Sequence, residues 1–173
     1  MNQLQTIQKT FRVFQTLAAI AQTLCIVGAV LSGTIALCIS TEINGGNVFT
    51  LFGEPIKLFA DWTGMQKTGV ECLTTMIVMI AKAILLIFAG RYFKIEQADG
   101  TPFSESGATE LKRLGIRCII IPIVATVIAA SIAAVEGVQD IDITGDLPGI
   151  VTGLILILAS IIFSYGASLE NRK

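Results

Sequence analysis

A chain of 173 residues that is 53% hydrophobic, 14% charged and free of histidine is too apolar for a water-soluble domain. Its net charge of −1 supplies neither a basic field for nucleic acid nor an acidic tail. Without histidine there is no His-based triad, general base or metal set. No stretch has a phosphate-loop spacing and no carboxylates pair within apolar segments, so neither a cofactor nor catalysis is expected.

The charges fall in short stretches separated by apolar runs. A membrane-crossing helix needs about 20 mostly apolar residues, and spans are predicted over residues 14–39, 70–93, 105–135 and 149–168. The segments between them are 40–69, 94–104 and 136–148. Residues 1–173 therefore form a single all-α integral membrane domain, a four-helix bundle in a lipid bilayer. Lys9 and Arg12 precede the first span as in an export signal. Its apolar run exceeds the about 7–15 residues of such a signal and no small-residue cleavage site follows, so a retained helix is expected. Nor is "IALC" a good lipoprotein site, because Leu37 precedes Cys38 where a small residue is needed.

In the 40–69 loop, "NVFTLF" and "IKLF" are rich in β-formers and joined by "GEP", after the turn signal Asn44-Gly45-Gly46. A small extracellular β-hairpin is expected. "VQDIDIT" (138–144) alternates apolar and polar residues and would make it a three-stranded sheet. Within "DIDITGD", Asp140, Asp142 and Asp146 imitate the start of a calcium loop, but the closing carboxylate position is Val151. An acidic, solvent-facing turn is the better reading.

The second span, "TTMIVMIAKAILLIFAGRYF" (74–93), holds Lys82 near its middle. A lysine at bilayer depth costs about 2.5–3.5 kcal/mol on insertion scales. The nine residues to Arg91 cover about 13 Å at a rise of about 1.5 Å each, too far for the side chain to reach the interface easily. Glu71, Thr75, Val78 and Lys82 share one helix face and Thr74 adjoins it, a polar stripe expected to face the bundle interior or a vestibule. Three readings stay open. Lys82 is satisfied internally by groups such as Ser32 or Thr126; or it lines a ligand pocket with Glu71, Thr74 and Thr75; or it pairs with an acid on a partner's membrane helix.

In "KIEQADGTPFSESGATELKRLG" (94–115), Ser104 reads as an N-cap, with Glu105 in the first turn and Phe103 placed to pack on Ala108. The third helix then starts near Glu105, before its apolar part at Ile116–Val135, and Pro122 is a candidate kink. Lys112, Arg113 and Arg117 suit phospholipid headgroups. The alternative is a docking surface for a cytoplasmic regulatory protein, built on Phe103, Leu111, Lys112 and Arg113.

Small residues recur every fourth position at Gly28, Ser32 and Ala36, at Ala125, Ala129 and Ala133, and at Ser160, Ser164 and Ser168. Such stripes let helices approach closely and offer a homo-oligomer face. Cys25 and Cys118 read as small hydrophobes. Cys38 and Cys72 lie near the same end of their helices, and whether they bridge depends on whether those ends touch.

Of the 12 Lys and Arg residues, Lys9, Arg12, Arg91, Lys94, Lys112, Arg113, Arg117, Arg172 and Lys173 lie on one side of the predicted topology. Lys57 and Lys67 lie on the other. The positive-inside rule puts both termini in the cytoplasm of a multi-pass plasma-membrane protein, with Tyr92, Phe93 and Trp62 at the interfaces.

"GTPFSESGATELKRLGIRC" and, after an apolar helix and an acidic loop, "GIVTGLILILASIIFSYGASLE" resemble the bacterial four-span membrane proteins grouped as domain of unknown function 2975. Phe103, Ser104, Leu111, Lys112 and Gly115 fit that family's start of helix three, and Leu156 to Ser160 its fourth helix. The resemblance covers about residues 91–170 and the first half only by topology. It implies four spans, no agreed activity, and genes often neighbouring one for a small helix-turn-helix regulator. The expected function is a non-enzymatic membrane protein that senses or binds a ligand or partner and regulates through protein–protein contact. The rival is a small transporter or channel component acting as an oligomer with Lys82 in its pathway.

Overall fold

The computed structural model describes residues 3–43, 50–51, 54–55, 62–99, 105–138 and 147–170, with side chains over 9–40, 66–98, 105–138 and 148–168. Four helices make up almost all of it: α1 (Gln3–Ile43), α2 (Trp62–Asp99), α3 (Glu105–Val135) and α4 (Leu147–Glu170). Each contains a stretch long and apolar enough to cross a membrane, namely Lys9–Ser40, Gln66–Ala98, Glu105–Val135 and Pro148–Ser168. This is the architecture of a multi-pass membrane protein.

Helices are the form these segments must take in lipid, because backbone N–H and C=O groups there have no water to bond. Hydroxyls inside the spans obey the same rule and donate to carbonyls of their own helix. Thr16 donates to Arg12 O at 2.9 Å, Ser32 to Gly28 O at 2.8 Å and Ser131 to Val127 O at 2.7 Å. Pro122 sits buried within α3, which continues as helix on both sides of it.

Consecutive helices pack antiparallel. Gly28 and Gly33 of α1 lie against Met79 and Met76 of α2, and Ile39 lies against Gly69. Among the described residues only chain neighbours bring their backbones close: α1 with α2, α2 with α3, and α3 with α4. The bundle is thus an open row, not a closed ring. Small residues supply its contacts: Ala18, Ala29 and Ala36 of α1 are buried, as are Ala125, Ala129 and Ala133 of α3. The tightest seam joins α3 to α4. A Cβ on Gly115 would lie 2.8 Å from the Gly153 carbonyl oxygen, and one on Gly153 would lie 2.8 Å from the Gly115 oxygen.

The helix α3 ends in a left-handed cap. Gly137 has φ 70°, its N–H donates to Ala134 O at 3.3 Å, and the Val138 N–H donates to Ala133 O at 3.1 Å. That 5→2 and 6→1 pair satisfies carbonyls the helix would otherwise orphan. The Gln66 amide of α2 donates to Glu136 O at 3.3 Å and ties α2 to this cap.

Of the β-hairpin expected in the 40–69 loop, the described residues include one short pairing. Between α1 and α2, Thr50 pairs with Pro55 and Leu51 with Glu54, antiparallel. This two-residue ladder does not support a hairpin with strands over "NVFTLF" and "IKLF". The third strand lies, beyond Val138, outside the described residues.

The seam makes an ordered prediction. Gly153→Ala sets a methyl against backbone, which cannot yield without moving a helix, and overpacking of this kind costs about 1–3 kcal/mol. At Gly33 the obstacle is the Met76 sulfur, 2.7 Å from an added Cβ, and a thioether swings aside easily. In detergent, Gly153→Ala should therefore lower the melting temperature clearly more than Gly33→Ala does.

Candidate functional site

The span Gln66–Ala98 has 33 residues, and Lys82 is at its centre. Neighbours flank it on both sides: Met76 and Met79 turn toward α1, while Phe88 turns toward α3, where the Arg117 guanidinium lies 3.9 Å above its ring. Lys82 falls between these two contact faces and is exposed, as are Glu71 and Thr75. Among the described residues Lys82 has no hydrogen-bond or ion-pair partner.

Placement of the polar stripe inside the bundle is therefore corrected. Its hydroxyls do not serve Lys82. Thr74 is buried and donates to Glu71 O at 3.0 Å, and Ser32 bonds within α1. Thr126 is half-buried on α3. The physical reason is the open row: with α1 and α4 held apart along most of their length, the middle of α2 keeps one side uncovered. Glu71, Thr75 and Lys82 share that side, but Thr74 does not join them in a pocket.

The α3 docking surface is also revised. Leu111 is 4% exposed and packs with Tyr92 and Leu114 in the main apolar cluster, so it cannot present itself to a partner. Lys112 and Arg113 are exposed, with Arg113 paired to Glu110 one turn back. Phe103 lies outside the described residues, as do Asp140, Asp142 and Asp146. Among the described residues no cluster of metal-ligating side chains occurs. The four cysteines are unbridged, Cys38 and Cys72 included. Tyr92, read as an interfacial aromatic, is 8% exposed and part of the core.

One residue was missed by the sequence reading. Glu96 is 2% exposed, the most deeply buried large side chain among the described residues. It lines a cavity at the end of the row that carries both termini, where side chains of all four helices meet. Phe11 and Phe14 come from α1, Tyr92 and Phe93 from α2, Leu111 and Leu114 from α3, and Leu156 and Phe163 from α4. Phe14 stacks on Phe93 with ring centroids 5.8 Å apart and planes at 17°. Phe11 lies 6.2 Å from the same ring. Tyr92, one turn before Glu96, interacts with its carboxyl through the hydroxyl. Next to Glu96 in the chain, Gln97 donates across to Gln15 of α1 at 3.1 Å.

The signal was present in "RYFKIEQ" (91–97). Glu96 follows Tyr92 by four residues and Lys82 by fourteen, so all lie near one side of α2. The stretch reads as a solvated loop start because it is charged. Only the extension of α2 to Asp99 carries Glu96 back under the aromatic rings. No protein family, curated protein or solved structure matches the chain.

Burial at this end separates core from surface. Leu111→Ala should cost about 2–5 kcal/mol, the range for large-to-small changes in a packed core. Arg113→Ala, by contrast, should stay within about 0.5 kcal/mol as an exposed change. Denaturation of the purified protein in mild detergent, followed by helical circular dichroism, checks both.

Proposed function

We propose that this chain is a non-enzymatic, multi-pass protein of a bacterial plasma membrane that binds a partner protein within the bilayer and regulates through that contact. The observation that carries this reading is the exposed Lys82 at the centre of an apolar span. Left against lipid, that ammonium costs about 2.5–3.5 kcal/mol. A carboxylate on a partner's helix would neutralise it where the low dielectric strengthens the attraction. Thr75 and Glu71, on the same exposed side, extend the contact toward the headgroups. Resemblance to the domain of unknown function 2975 group belongs to this reading and adds no activity. Lys112 and Arg113 at the start of α3 are the exposed groups left for a cytoplasmic regulatory protein.

The orientation proposed with it has both termini cytoplasmic, on the strength of the Lys and Arg distribution. In a cysteine-free background, an impermeant maleimide applied to intact cells should label Asp142→Cys and spare Lys173→Cys. The reverse pattern inverts the topology.

A second reading, a transporter or channel component working as an oligomer, draws on Lys82 and Glu96 sharing one side of α2. Purification in mild detergent with mass spectrometry distinguishes the two. The partner reading expects a stoichiometric membrane protein that is lost from Lys82→Met, whose melting temperature is unchanged or raised. A chain that purifies alone as a homo-oligomer and moves a labelled solute in liposomes sinks the partner reading in favour of transport. Retention of the partner by Lys82→Met removes Lys82 from the contact.

A further inference from the structure

A second cavity opens between α3 and α4 at the end that carries both termini, with a volume of about 570 Å³. It shares no lining residue with the cavity around Glu96. Ala108 and Ser160, both buried, form its floor, and its rim carries Lys112, Ser164 and Tyr165, all exposed. Among the described residues no acid lines it. Arg113 is held by Glu110, whereas Lys112 has no carboxylate partner among those residues. Thr109, Ser160 and Ser168, which also border the cavity, donate to carbonyls of their own helices. Ser164 and Tyr165 make no such bond among the described residues. An ammonium and two O–H groups are therefore left as donors around one space. A phosphodiester is the matching acceptor, because it is anionic and offers oxygens without a proton of its own.

Depth selects the form in which that phosphate arrives. Lys112 stands one turn before Ile116, where the apolar part of α3 begins. Tyr165 stands three residues before the end of the span Pro148–Ser168. Both lie where the apolar segments give way to water, the level of headgroups and of interfacial tyrosines. Toward the bilayer centre on the same side of α4, Ile161 and Leu158 are exposed and form a track for an acyl chain. We infer that this cavity seats the phosphate of a membrane phospholipid, with Lys112, Ser164 and Tyr165 as its donors and Ile161 and Leu158 against its acyl chain. A basic pocket between membrane helices at headgroup depth is the setting in which such headgroups bind. The site is built on α3 and α4 and is independent of the Lys82 contact on α2. With a lipid seated there, Lys112 is taken and Arg113 remains for a cytoplasmic partner.

The experiment uses the purified full-length chain in a maltoside detergent, titrated with phosphatidylglycerol and read by native mass spectrometry. The chain should retain phosphatidylglycerol saturably and should not retain diacylglycerol of the same acyl chains, which lacks the phosphate. Lys112→Ala should weaken retention by about fivefold, the worth of one lysine near an anionic headgroup. Tyr165→Phe removes one hydroxyl and should weaken it by about threefold. Arg113→Ala removes a neighbouring charge that does not line the cavity and should leave retention at the wild-type level. Each of the three changes an exposed side chain and leaves the melting temperature unchanged. The inference is overturned if Lys112→Ala retains the lipid like the wild type, or if Arg113→Ala weakens it as much, which would make the attraction a diffuse surface effect. Retention of diacylglycerol equal to that of phosphatidylglycerol also overturns it, and so does displacement of the lipid by excess inorganic phosphate, which would assign the site to a free anion.

Discussion

The rest of the structure depends on how closely helices can approach when lipid surrounds them. Between two helices in a bilayer there is no water to expel, so association comes from van der Waals contact and a few polar bonds. Gly115 and Gly153 bring the α3 and α4 backbones so near that a methyl on either would meet the other's carbonyl oxygen. Buried alanines do the same work less tightly along α1 and α3. Each seam joins chain neighbours, and the row results from three such seams in sequence.

An open row has consequences for its polar residues. The sides of α2 turned to α1 and α3 are covered, and the side between them is covered only where the outer helices converge. Convergence happens at the end bearing both termini, around Phe11, Phe14, Leu156 and Phe163. There Glu96 is sealed among rings. Farther along the same side, Lys82 is left uncovered at the centre of the span. Two ionisable groups on one side of one helix thus meet opposite fates, decided by the distance between α1 and α4.

Polar groups within the spans also show why four helices can carry serines and threonines through a bilayer. Thr16, Ser32, Ser131 and Thr152 each return their hydroxyl hydrogen to a carbonyl one turn back. These residues ask nothing of neighbouring helices. Ser160 is buried and likewise bonds within α4, to Ile157 O at 2.7 Å. The serine stripe of α4 therefore packs at Ser160, while Ser164 and Ser168 face outward.

Four long apolar helices were legible from the sequence because span length and hydropathy are local properties of consecutive residues. Small-residue spacing announced close contact in the same local way, and Ala125, Ala129 and Ala133 are buried accordingly. The surroundings of single residues were not legible. Leu111 looked available for docking and is core, and Lys82 looked interior and is exposed. Glu96 looked solvated and is buried. Periodicity tells which residues of a helix share a side, but not what stands opposite. That depends on the order and tilt of the other helices, which only the tertiary structure decides. A charge is tolerated or not according to what covers it, and cover comes from segments distant in the chain.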